Sequence, residues 1–78
     1  MKRMEYILGY RHPHWIITGN GIDIRHTELK TAETLLAEEI RKKFPDQKIE
    51  VYLRFDMKTI PQWFHQYQNH YFNTILYI

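Results

Sequence analysis

The feature that most constrains this fold is a single amphipathic helix set among strand-forming segments. In TAETLLAEEIRKKF, apolar residues recur every three or four positions and therefore lie on one side of an α-helix. They are Ala32, Leu35, Leu36, Ile40 and Phe44. Thr31 is a suitable N-cap, or Thr27 if the helix begins one turn earlier, and Pro45 stops the helix. We expect one helix from about Ala32 to Phe44, whose apolar side packs against the rest of the protein.

The segments before and after this helix are typical of β-strands. KIEVYLRF alternates, with the apolar side chains of Ile49, Val51, Leu53 and Phe55 on one side of the strand. WIITGNGIDIR predicts a hairpin, because Asn20-Gly21 tolerates the positive φ angles of a tight turn and strand-forming residues flank it. MEYILGY predicts a further strand, which ends before Pro13. The apolar row of KIEVYLRF should cover the helix.

The closing stretch PQWFHQYQNHYFNTILYI supports two interpretations. Its aromatic, Asn, Thr and Ile residues favour a hairpin, with a strand near Ile60–Gln66, a turn around Gln68–His70 and a strand over Tyr71–Tyr77. The four-residue spacing of its aromatic residues instead fits a helix that begins near Pro61. We adopt the hairpin. The expected fold is then α+β, a small antiparallel β-sheet with a single α-helix packed on one face, in the order β-hairpin, helix, β-strand, β-hairpin. Residues 1–78 form one domain.

Composition excludes several classes of protein. The chain of 78 residues contains no Cys, so disulfide frameworks and thiolate metal sites are excluded. Its longest apolar runs, Trp15–Ile17 and Ile75–Ile78, are far shorter than the roughly 20 residues that span a bilayer. The N-terminus lacks the apolar core of a signal peptide. We expect a cytoplasmic protein that does not enter a membrane.

No group of residues indicates catalysis, a metal site or a cofactor. Ser and Cys are both absent, which removes their use as nucleophiles. The five histidines match no zinc-ligand spacing, and they are His12, His14, His26, His65 and His70. The three glycines form no phosphate-binding loop. We therefore expect a protein that is not an enzyme and that binds neither metal nor cofactor.

Two sets of residues are candidates for binding a partner. One helix covers one face of the sheet, so the other face should carry an exposed aromatic set with one arginine: Tyr52, Arg54, Trp63, Tyr67, Tyr71 and Tyr77. Tyr, Trp and Arg are the residue types that anchor protein interfaces, and aromatic rings also stack on unpaired bases. The second set is the basic helix end, defined as Arg41, Lys42, Lys43 and Lys48. It suits phosphates or an acidic partner.

The layout ELKTAETLLAEEIRKKFPDQKIEVYLRF followed by WFHQYQNHYFNTI resembles small phage-encoded anti-CRISPR proteins. Those proteins are compact, cysteine-poor α+β chains with a helix across an antiparallel sheet. The resemblance covers Leu29 to Ile75 and is one of pattern, so it assigns no residue a role. It implies a non-enzymatic inhibitor from a phage or mobile element, active in the host cytoplasm. Such an inhibitor blocks a surface of a CRISPR effector, or of another host complex that handles nucleic acid, by protein–protein contact.

The residues leave two alternatives open. One is a small basic nucleic-acid-binding module, although a net charge of +2 is too mild to indicate this by itself. The other is a structural or oligomerisation domain. The protein is expected to be a monomer or a homodimer in each case. Salt dependence separates the first alternative from protein binding, because affinity for nucleic acid falls steeply with salt.

Overall fold

A computed structural model describes residues 2–67 and 76–77 of the chain. The strands are β1 (Lys2–Arg11), β2 (His14–Gly19), β3 (Ile22–His26), β4 (Ile49–Phe55) and the short β5 (Leu76–Tyr77). Helix α1 (Leu29–Lys43) lies between β3 and β4, and a 3-10 helix (Gln62–Tyr67) follows β4. The strands form one five-stranded sheet in the order β3-β2-β1-β4-β5. The predicted α+β class, with one helix on one face of a sheet, is confirmed.

The hairpin of β2 and β3 turns at the dipeptide that the sequence indicated. Asn20 has φ 49° and Gly21 has φ 81°, which are the angles of a type I′ turn. Gly19 and Ile22 face each other directly across this turn. The prediction of a two-residue hairpin at Asn20-Gly21 is therefore confirmed.

The sheet is mixed, so the prediction of a purely antiparallel sheet is corrected. Strand β1 pairs with β2 in the antiparallel sense but with β4 in the parallel sense, from Lys2 opposite Ile49 to Leu8 opposite Phe55. The reason is the path of the chain. Helix α1 carries it from edge strand β3 back across the sheet, so that β4 enters beside β1 and runs in the same direction, as a helical crossover requires.

Helix α1 begins earlier than predicted but uses the predicted apolar side. Ala32, Leu36 and Ile40 are buried against the sheet. The prediction of Thr31 as N-cap is wrong: the N-cap is Glu28, with no side-chain capping bond. The Glu28 N–H instead donates to Nδ1 of His26 at 2.9 Å. This contact fixes the path from β3 into the helix.

The predicted strand Ile60–Gln66 is wrong, because the 3-10 helix occupies most of these residues. The chain turns directly after β4, where the Asp56 carbonyl accepts the N–H groups of Thr59 and Ile60 at 3.1 and 3.0 Å. This turn places Phe64 against the end of the core. The predicted turn at Gln68–His70 lies outside the described residues. Of the predicted strand Tyr71–Tyr77, only β5 is described, and it pairs antiparallel with β4.

Candidate binding surface

The face of the sheet opposite α1 is called here the open face. Residues alternate along each strand, so every second side chain points away from the core. On β1 to β4 these are Arg3, Glu5, Ile7, Gly9, Arg11, His14, Ile16, Thr18, Asp23, Arg25, Glu50, Tyr52 and Arg54. Their neighbours along the strands are mostly buried on the α1 side. One helix covers one face, as expected, and the open face is the other.

At one end of the open face, the polar groups bind each other. Arg3 Nη2 lies 3.5 Å from Glu5 Oε1, and the Arg3 guanidinium lies 4.2 Å above the Tyr52 ring. The Tyr52 hydroxyl donates to Glu50 Oε1 at 2.7 Å. Tyr52 is half-buried within this group. Its ring and hydroxyl are therefore already engaged in the free protein.

The middle of the open face is apolar, and we name it the Ile7/Ile16 patch (Ile7, Gly9, Ile16 and Thr18). In the register of β1 and β2, Ile7 faces Thr18 and Gly9 faces Ile16. Ile7 lies on the central strand and is still 49% exposed. A groove of about 410 Å³ runs over the patch towards Asp56 and Thr59. Ile7 and Ile16 line this groove together, and contiguous exposed apolar residues, unlike single ones, mark interaction surfaces.

Gly9 keeps one wall of this groove in place. A Cβ atom at this position would lie only 3.0 Å from Oγ1 of Thr59. That same oxygen accepts the N–H of Tyr10 at 3.2 Å. The absence of a side chain at Gly9 therefore allows the loop after β4 to pack against β1, where β4 itself has ended.

Two arginines flank the patch. Arg54 faces Ile7 across the parallel pair, and Arg11 faces His14 at the end of β1. Both side chains are exposed, and within the described part of the chain neither forms an ion pair with a carboxylate. The other two arginines of the open face differ, since Arg3 pairs with Glu5 and Arg25 with Asp23. Arg11 and Arg54 are thus the two arginines of this face whose guanidinium groups have no carboxylate partner among the described residues.

The structure separates the predicted aromatic set. Tyr52 and Arg54 lie on the open face, as predicted. Trp63 and Tyr67 lie in the 3-10 helix, with ring centroids 5.4 and 5.1 Å from that of Phe64. Phe64 in turn stacks on a buried ring of the α1 side, Phe55. The prediction that Trp63 and Tyr67 lie on a strand of the sheet face with Tyr52 is therefore wrong, because both belong to the 3-10 helix, where their rings contact Phe64.

The remaining members of that set are not placed on either face. Tyr71 lies outside the described residues. The backbone of Tyr77 pairs with Glu50 in β5, and its side chain is outside the description. A role of these aromatic residues in binding stays a prediction.

The basic helix end is exposed but partly engaged. Lys42 Nζ lies 3.4 Å from Glu39 Oε1, and Lys43 Nζ donates to the Asn20 carbonyl at 3.5 Å. Arg41 and Lys48 are exposed and form no ion pair with the described carboxylates. This set could contact phosphates through those two residues, and that role also stays a prediction.

Sequence reasoning missed Ile7, Ile16 and Arg11. A signal existed in MEYILGYR, where Met4, Tyr6 and Leu8 alternate with Glu5 and Ile7. Strict alternation places Ile7 on the side of Glu5, and hence on the open face.

His12, His26 and His65 take part in local hydrogen bonds. Nδ1 of His12 lies 3.0 Å from the Tyr10 hydroxyl, and Nε2 of His65 lies 3.0 Å from the Ile60 carbonyl. Over residues 2–67 and 76–77, no three His, Cys, Asp or Glu side chains come together as metal ligands would. Among the same residues, no helix has the length and hydropathy to cross a bilayer.

The chain was compared with known proteins. The model of a family described as a family of unknown function (DUF5395) matches residues 3–78. The chain belongs to this family. It is also similar to an uncharacterized protein of Archaeoglobus fulgidus, with 32% identity over 59 residues, which is 76% of this chain and 74% of that relative. No solved structure gives a significant match.

Proposed function

We propose that this protein is a non-enzymatic binding protein whose open face contacts another protein at the Ile7/Ile16 patch. The observation that carries the proposal is the half-exposed Ile7 at the centre of the sheet, flanked by Arg11 and Arg54. Fully burying an Ile side chain is worth about 1.5–3 kcal/mol. A partner that covers Ile7 gains roughly half of that, because half of the side chain is still exposed.

The chemistry of the patch favours an acidic protein surface as the partner. A guanidinium binds a carboxylate with two parallel hydrogen bonds, and the apolar floor between the two arginines suits aliphatic side chains. A nucleic acid that bound Arg11 and Arg54 through its phosphates would leave Ile7 and Ile16 without apolar contacts. Base stacking also needs free aromatic rings, whereas Tyr52, the aromatic residue of the described open face, is engaged with Arg3 and Glu50.

The finer proposal is that the partner is a CRISPR effector, or another host complex that handles nucleic acid, and that the protein is a phage or mobile-element inhibitor in the host cytoplasm. This step rests on the resemblance to anti-CRISPR proteins alone. It is tested by adding the purified protein to an effector that cleaves its guided target. A stoichiometric inhibitor should abolish cleavage near a one-to-one ratio, and unchanged cleavage across effector types would reject this step.

A nucleic-acid-binding module is the second candidate, because Arg41 and Lys48 are exposed cations at the basic helix end. Fluorescence anisotropy with labelled single-stranded and duplex oligonucleotides measures this directly. We expect no binding at physiological salt. Affinity that falls steeply as salt rises, and that is lost in Arg41→Ala/Lys48→Ala, would support the second candidate over the first.

The proposal itself is tested with matched surface variants against a partner recovered by affinity capture. Ile7→Asn and Arg11→Ala/Arg54→Ala change the patch, and each should raise the dissociation constant at least about tenfold, the scale of an interface hot spot. Trp63→Ala removes an exposed ring of the 3-10 helix, outside the Ile7/Ile16 patch, and should leave the affinity unchanged. The reverse pattern, with loss in Trp63→Ala and none in the patch variants, would assign binding to the 3-10 helix.

A further inference from the structure

Strand β3 forms an open edge of the sheet. Among the described strands only β2 pairs with it. Along its outer side runs a groove of about 470 Å³ between β3 and α1, which Ile22, Ile24 and Leu35 line together with Glu39 and Lys43. The outer N–H and C=O groups of such an edge are a template for another strand. The groove leaves room for one.

The hairpin register shows which residues direct their backbone groups outward. In a hairpin with a two-residue turn, the flanking residues form a hydrogen-bonded pair, which here is Gly19 with Ile22. Hydrogen-bonded and non-hydrogen-bonded pairs alternate along an antiparallel ladder. Ile24 therefore bonds to β2 as Ile22 does, whereas Asp23 and Arg25 point their N–H and C=O groups away from β2.

We propose that β3 pairs antiparallel with β3 of a second copy of this chain, about a two-fold axis at Ile24. Asp23 then faces Arg25 of the partner subunit, and the converse pair forms by symmetry. Both pairs join residues with outward backbone groups, so each exchanges two backbone hydrogen bonds. The sheet continues through both copies, with both α1 helices on the same face.

Charge selects this register over its neighbours. A two-fold axis at Asp23 places that carboxylate opposite its own copy, and an axis at Arg25 places two guanidinium groups opposite each other. Like charges directly across a ladder are destabilising. Only the axis at Ile24 makes both cross-strand pairs opposite in sign. This self-complementarity is the reason that a second copy, and not an unrelated extended peptide, is the occupant.

The charge pair already present within β3 supports this geometry. Arg25 Nε and Nη2 lie 3.3 and 3.4 Å from the two Asp23 oxygens, although the two residues are separated by two strand rises, about 7 Å along the strand. Residues directly opposite on paired strands have Cβ atoms only about 4.5–5.5 Å apart. Side chains that span the longer distance along the strand can therefore also span the distance between copies, where the pair across the axis replaces the pair within one strand.

The test is the molar mass in solution, by light scattering after gel filtration. The parent should have about twice the monomer mass of 9.7 kDa. Asp23→Arg and Arg25→Asp each place like charges across the axis, and each should raise the dimer dissociation constant at least about tenfold. The double variant Asp23→Arg/Arg25→Asp restores opposite charges and should restore the dimer. Arg3→Ala breaks a similar exposed pair on β1 and should have no effect.

A cysteine crosslink tests the position of the axis. The chain has no Cys, and Ile24 would face its own copy as a non-hydrogen-bonded pair with Cα atoms about 4.5 Å apart, within disulfide range. Ile24→Cys should oxidise to a covalent dimer, and exposed Thr34→Cys should not. A monomeric parent, a dimer that persists in both single charge variants, or failure of the double variant to recover would each overturn the proposal. Asp23 and Arg25 face Thr18 and Ile16 of the patch, but these measurements use the purified chain without any other protein, so their outcome is independent of the proposed function.

Discussion

Replacing Phe64 by alanine tests whether the aromatic residues after β4 belong to the core. Phe64 is 8% exposed and stacks on Phe55, with ring centroids 5.3 Å apart and planes at 24°. Its ring also lies 4.9 Å from that of Trp15. Removing a buried Phe leaves a cavity among these rings, which typically costs about 3–5 kcal/mol. We expect Phe64→Ala to lower the free energy of unfolding by that amount.

The adjacent residue Trp63 provides the matched control. It is 64% exposed, so the protein covers only about a third of a ring system of roughly 150–250 Å². At about 25 cal/mol per Å², Trp63→Ala should cost at most about 2 kcal/mol. Neighbouring positions in the same 3-10 helix should therefore differ clearly, because only one of the two rings faces the core.

The assay is urea unfolding followed by circular dichroism and fluorescence. The chain contains two tryptophans, so Trp63→Phe leaves buried Trp15 as the sole tryptophan. Adding Phe64→Ala to this background should move the native emission to longer wavelength, because Trp15 loses a neighbouring ring and gains water. A cost below about 1 kcal/mol for Phe64→Ala, or equal costs for Phe64→Ala and Trp63→Ala, would refute the assignment of Phe64 to the core.

The remaining predictions concern the rest of the core. Leu36→Ala and Leu53→Ala remove side chains that are 1% and 3% exposed, and each should cost about 2–5 kcal/mol in the same assay; losses below about 1 kcal/mol at both positions would contradict the core described here. Burial raises the pKa of the Tyr6 hydroxyl above 10.0, so the unfolded chain loses this proton first. The stabilisation from this group is therefore fully present below 10.0, the ordinary pKa of tyrosine, which applies to the unfolded chain. The free energy of unfolding then falls as the pH rises through the folded pKa, by at most about 1.4 kcal/mol per pH unit. Tyr6→Phe should therefore weaken the fall in stability above pH 10, and an identical fall in the two proteins would disprove the effect.

The sequence by itself determined the elements that depend on near neighbours. The apolar stripe of Ala32, Leu36 and Ile40 has helical spacing whatever the rest of the chain does. Asn20-Gly21 favours positive φ angles for local steric reasons. Alternation in β4 likewise placed Tyr52 and Arg54 on the face opposite the core. Each of these predictions agrees with the structure.

Strand order and the segment after β4 depended on distant contacts. The parallel pairing of β4 with β1 is set by where α1 returns the chain, and no local pattern encodes that position. The 3-10 helix is rich in aromatic residues, which are common in β-strands, so residue propensity wrongly favoured a strand for this segment. Packing of Phe64 onto Phe55 and Trp15 stabilises the observed turn.

The candidate site also combines a feature that the sequence predicts with features that depend on distant contacts. The sequence predicted a single helix, which indicated a second sheet face without a helix over it, and the described residues agree. Only the tertiary structure decided which side chains meet there, because Ile7, Ile16 and Arg54 come from three strands whose register brings them together. Trp63 and Tyr67 lie in the 3-10 helix for the same reason. The position of a side chain follows from the packing of the whole chain, whereas sequence periodicity reports only on neighbouring residues.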